Sequence, residues 1–131
     1  MNSYNAPALC NGGTVTISFT INNPCGAPQS VSKYFKVTKP SNVVIASPAN
    51  ATVNACNYAD QNALDVAFAT WKGQFAVSGG CTATLPNLGG YTVPVLCDGG
   101  SVTISFSVVD LCQTQSVSKT FTVVKPNQLV I

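Results

Sequence analysis

Polar and apolar residues alternate without interruption over two stretches of this chain. Val15, Ile17, Phe19 and Ile21 fall on one parity, with Thr14, Thr16, Ser18 and Thr20 on the other. Val102, Ile104, Phe106 and Val108 repeat the pattern against Ser101, Thr103, Ser105 and Ser107. A period of two predicts half-buried β-strands at both places. Each is followed by a second strand, over 31–38 and 117–124, and preceded by a turn, Asn11-Gly-Gly or Asp98-Gly-Gly. Shorter strands are expected at 43–45, 51–55, 75–77, 82–85 and 92–96. One segment departs from this period. Leu64, Phe68, Trp71 and Phe75 stand at i, i+4, i+7 and i+11, which predicts an amphipathic helix over Asp60–Lys72. Asn57 or Asp60 can cap its start and Gly73 can end it.

The two strand pairs belong to an internal repeat. Aligning 4–45 with 91–131 gives 23 identities in 41 paired positions. The offset is 87 from Tyr4/Tyr91 through Cys25/Cys112 and 86 from Gln29/Gln115 onward. A period of about 86 predicts a tandem arrangement. On that reading 1–40 is the second half of one repeat, 41–126 is a complete repeat, and 127–131 begins another.

Composition narrows the chemistry. The 131 residues carry six lysines and four aspartates, with no Arg, Glu or His. No histidine is present for a catalytic triad, a proton relay or a zinc site, and no arginine for a bidentate anion clamp. A net charge of +2 is too weak a field for nucleic acid. The inventory argues against an enzyme, and no cofactor or metal is expected. Cysteines at 10, 25, 56, 81, 97 and 112 are too widely spaced for a zinc knuckle and suit an oxidising, extracellular setting. No apolar run approaches the roughly 18 residues of a membrane span.

Other candidate groups have plainer readings. Asp98 and Asp110 correspond to Asn11 and Asn23 in the other copy, which suits turn chemistry better than catalysis or calcium binding. Lys33 and Lys119 share the apolar parity of their strands; an isopeptide bond is one use, and a snorkelling lysine the plainer one. The Thr14-x-Thr16-x-Ser18-x-Thr20 row resembles an ice-binding threonine array, although any solvated sheet face alternates in this way. Asn50-Ala-Thr52 has the pattern of a glycosylation sequon.

With strands placed, residues 47–56, SPANATVNAC, resemble the opening of hyalin-repeat (HYR) modules, and 101–110 with 116–124 resemble that family's closing strand pair. The helical insertion with Phe68-x-x-Trp71, and Gly79-Gly80-Cys81 after it, is similar to HYR-like repeats of very large Bacteroidota cell-surface proteins, including gliding-motility-type adhesins exported by the type IX system. The resemblance covers 41–126 and implies an all-β, immunoglobulin-like sandwich with one short inserted helix. Phe106 and Lys119 stand where that family has strand cysteines, so its disulfides cannot be carried over.

In such a sandwich successive strands reverse, and connections gather at two poles. A Cys97–Cys112 bond would have to span an extended strand about 26 Å long, against a Cα limit of about 7 Å. The expected pairs are therefore Cys56–Cys97 and Cys81–Cys112. Cys10 and Cys25 either pair upstream or compete for Cys56 and Cys81.

The resulting expectation is a non-catalytic stalk or adhesion module of a secreted cell-surface protein, flanked by neighbouring repeats of the same polypeptide. The alternative is a carbohydrate- or ligand-binding module contacting surface glycans through Tyr91, Tyr58 or Trp71.

Overall fold

The computed structural model describes residues 3–131. The described residues divide into two compact units, with the boundary between Ser41 and Asn42. The protein is mostly β, with several small sheets and one α-helix.

The first unit is a single antiparallel hairpin of β1 (Gly13–Ile21) and β2 (Gln29–Val37). Its alternation produces the expected strands, in a register that sets Val15 opposite Phe35 and Ile17 opposite Lys33. At the base of the hairpin, Gly12 has φ +68° and donates its N–H to the Ala8 carbonyl at 2.9 Å. An added Cβ there would lie 2.8 Å from the backbone of Val37 and Lys39, so only glycine closes this turn.

The second unit contains β3 (Val44–Ala46), β4 (Ala51–Asn54), a 3-10 turn (Ala55–Asn57), α1 (Gln61–Lys72), β5 (Ala76–Ser78), β6 (Gly100–Val109) and β7 (Thr114–Val124). β3 pairs with β5, and β4, β7 and β6 form a three-stranded sheet in that order. β6 and β7 are antiparallel, while β4 runs parallel to β7 from Ala51↔Phe121 to Asn54↔Val124. The sequence reading, with its reversing strands, did not contain this parallel pair.

Helix α1 forms where the period changes. Asp60 is its N-cap, accepting from the Ala63 N–H at 2.9 Å, which satisfies one of the donors every helix start leaves over. Lys72 sits in the last turn, favourably placed for the helix dipole, with Nζ 5.3 Å from the Phe68 ring centre. Leu64, Phe68 and Trp71 face inward and, with Phe75, meet Ile104, Phe121 and Val123 of the sheet. Phe121 is the hub, with Phe68 at 5.3 Å and Trp71 at 5.4 Å between ring centres; Phe75 lies 5.7 Å from Phe106. The Trp71 indole N–H donates to the Ala49 carbonyl at 2.8 Å, so burying the ring strands no polar atom.

Residues 82–85 and 92–96, expected as strands, are irregular. One backbone donor in each is taken by a side chain rather than by a neighbouring strand. The Thr82 N–H goes to Asp110 and the Leu96 N–H to Gln61. Pro86 and Pro94 remove further donors, and Leu88 between them is buried in the core.

Candidate functional site

The most elaborate polar arrangement in the second unit is centred on Asp110, at the end of β6. Its side chain is buried, and both carboxylate oxygens are occupied. Oδ2 accepts from the Cys81 N–H at 2.8 Å; Oδ1 accepts from the Thr82 N–H at 2.7 Å and the Thr82 hydroxyl at 3.2 Å. The Asp110 N–H donates to the Gln113 carbonyl at 2.8 Å, and the Gln113 Oε1 accepts from the Val43 N–H at the same distance. One turn thus ties together three segments far apart in sequence.

Glycine makes the approach possible. Gly79 and Gly80 have φ +79° and +68°, and a Cβ on Gly80 would lie 2.6 Å from the Asp110 Oδ2. The Thr82 N–H, followed by that of Cys81, holds the Asp110 carboxyl below the usual carboxylate range; burial acts in the opposite direction and the Thr82 hydroxyl reinforces the lowering. This is a charge fixed as an acceptor of hydrogen bonds from the 81–82 segment. The corresponding Asn23 in the first unit only accepts the Cys25 N–H at 3.0 Å. Turn chemistry at both positions was legible in the sequence. The 28-residue reach from Asp110 to Thr82 was not, and the Gly79-Gly80 pair was its one available signal.

A second clamp holds the opposite end of the sheet. Gln61, in the first turn of α1, accepts the Leu96 N–H at 2.7 Å through Oε1 and donates to Asp65 Oδ1 at 2.9 Å. No sequence pattern marks this glutamine.

The cysteines require a correction. Cys10 and Cys112 are the disulfide-bonded cysteines, while Cys25, Cys56, Cys81 and Cys97 are exposed free thiols. Neither Cys56–Cys97 nor Cys81–Cys112 is formed. The predicted ends are nonetheless recognisable. Cys56 follows β4 and Cys97 precedes β6, at the same end of the sheet. β7 runs between those strands, which sets β4 and β6 about 10 Å apart, and both thiols are free. Cys81 is drawn towards the 110–113 turn through Asp110, but the Cys112 sulfur is already committed to a disulfide.

Of the aromatic residues considered as ligand contacts, Trp71 is buried in the core. Tyr58 and Tyr91 are partly buried and packed against it, and the Tyr91 hydroxyl donates to the Ser105 carbonyl at 3.0 Å. None of the three lines either of the two grooves that share Lys72. One groove, of about 330 Å³, is lined by Asp65, Phe68, Thr92 and Val93, and a second, shallow and of about 450 Å³, lies between the end of α1 and the 85–89 loop, lined by Ala69, Lys72, Phe75, Leu85, Asn87 and Leu88.

The outward face of β6–β7 carries paired hydroxyls. Ser101 meets Thr122 at 2.9 Å, Thr103 meets Thr120 at 2.9 Å and Ser107 meets Ser116 at 2.7 Å. These groups satisfy one another across the strands.

Among the described residues, no group of three or more His, Cys, Asp or Glu side chains is placed to hold a metal ion, and no helix is long and apolar enough to cross a membrane. Compared with family models, curated proteins and solved structures, the chain matches none.

Proposed function

We propose that this chain is a structural and adhesive repeat segment of an extracellular, cell-surface protein, non-catalytic, with residues 41–126 as its recurring immunoglobulin-like, HYR-like module. The observation that carries the reading is duplication at the level of geometry. Val15↔Phe35 and Ile17↔Lys33 in the first hairpin become Val102↔Phe121 and Ile104↔Lys119 in the second. Gly12 and Gly99 have φ +68° and +67°, and both donate to the carbonyl four residues earlier at 2.9 Å. The hydroxyls of Tyr4 and Tyr91 bond the equivalent carbonyls of Ser18 and Ser105. A unit copied with its register and turn intact is suited to adding length, and to multiplying weak contacts along an array. The disulfide-bonded cysteines support an extracellular location.

Polypeptides with one, two and three copies of 41–126 test the proposal by small-angle scattering. The maximum dimension should grow by a constant increment per copy. A dimension that fails to grow with copy number would remove the stalk reading. The groove beside Lys72 supports a second reading, a small-ligand or glycan site, since its volume falls in the range of ligand pockets. Glycan-array binding that is lost on Lys72→Ala or Asn87→Ala would favour that reading over the stalk.

A further inference from the structure

The β1–β2 hairpin exposes a face that its counterpart buries. Phe35 is 60% exposed and Phe121 2%; Ile17 is 37% exposed and Ile104 0%. The two faces are chemically almost the same. Of the eight inward-parity positions in each hairpin, seven are identical, and the eighth pairs Ile21 with Val108. Differences collect on the outward parity, where Tyr34 and Lys36 stand opposite Thr120 and Thr122.

In the second unit that face is covered by α1, through Phe68 and Trp71 against Phe121, and by Phe75 against Phe106. The edge of β7 is covered as well. β4 pairs along it, and Asn50 Oδ1 accepts the Thr120 N–H at 2.9 Å. Among the described residues, β2 pairs only with β1, so its outer edge offers the same row of backbone groups without a strand upon it. An apolar face and an open strand edge are two separate demands, and within this chain one segment, 42–90, answers both.

We propose that the inward face of β1–β2 is a docking surface for a half-module of the 42–90 type. Such a partner consists of a short strand that adds parallel to β2, followed by an amphipathic helix with large apolar residues at i, i+4 and i+7 and a further one at i+11, just past the helix end. Phe35 takes the place of Phe121 between the helix aromatics, and Phe19 that of Phe106. The proposal rests on the duplication and not on adhesion; it stands or falls independently of what the assembled protein binds.

The test adds the polypeptide 42–90 to the full chain. Its outcome is read by sedimentation and by amide hydrogen exchange. The expected result is a one-to-one complex in which the Tyr34 amide, the counterpart of Thr120, gains at least about tenfold protection while β6–β7 is unchanged. Phe35→Asp in the full chain should abolish binding. Because that change can also disturb the hairpin, Phe68→Asp in the added polypeptide, which leaves the full chain untouched, should abolish it too. Absence of a complex, binding that survives both variants, or protection lost from β6–β7 through strand displacement would overturn the proposal.

Discussion

The two hairpins of this protein are close to a controlled experiment. They share turn, register, tyrosine tether and almost every inward side chain, yet one forms the floor of an aromatic core and the other leaves the same side chains in water. Pairing is therefore encoded within each hairpin, by alternation and by a glycine turn. Burial is not; it is supplied by a strand and a helix that lie between 28 and 49 residues upstream of β6. A two-stranded ribbon is only marginally stable alone, so the two copies should differ greatly in energy despite their shared geometry.

The largest expected difference is dynamic. Amides of β6 and β7 should exchange at least about a hundredfold more slowly than those at matching positions of β1 and β2; equal rates would mean that the hairpin is stabilised without a cover. Next come paired truncations, read by denaturant unfolding. Phe121→Ala should cost about 3–5 kcal/mol, the usual loss for a buried phenylalanine, while Phe35→Ala should stay within about 0.5 kcal/mol, as an exposed position does. Similar costs at the two sites would break the comparison.

A third pair should show the opposite behaviour. Gly12→Ala and Gly99→Ala both force a side chain into the left-handed region against backbone 2.8 Å away. Each should strain its own turn by at least about 1–2 kcal/mol, visible as similar local loss of protection in both hairpins. Agreement here, alongside disagreement at the phenylalanines, would separate the local contribution from the tertiary one.

The smallest effect is the titration of Asp110. Its carboxyl is held below the ordinary range in the folded protein, so the stability it contributes is present above the unfolded carboxylate pKa and is lost as pH falls through the folded value. Urea midpoints taken across the acidic range should fall more steeply for the native chain than for Asp110→Asn. The first hairpin, with Asn23 at that position, should show no such component.

Much of this was legible in the sequence. The four long strands and α1 follow from periodicity, capping chemistry narrowed the helix start to Asn57 or Asp60, and the helical spacing of Trp71 already pointed to packing. What could not be read was whatever depends on one segment meeting another. The β4–β7 parallel pair leaves no local mark. Residues 82–85 and 92–96 carry strand-like composition, yet the Thr82 N–H goes to Asp110 and the Leu96 N–H to Gln61. The cysteine pairs expected from two poles, Cys56–Cys97 and Cys81–Cys112, do not form: Cys112 is disulfide-bonded with another partner, and Cys56, Cys81 and Cys97 are free thiols.

The direction of β4 has a mechanical consequence. β4 lies near the start of the second unit and β7 near its end, and they run the same way. Tension applied at the two termini of that unit would pull the leading end of β4 and the trailing end of β7 in opposite directions along the strand axis. The hydrogen bonds between them would then be sheared together, where an antiparallel pair gripped at one end would peel apart one bond at a time. A unit wired in this way resists stretching most strongly when it is pulled by its two ends.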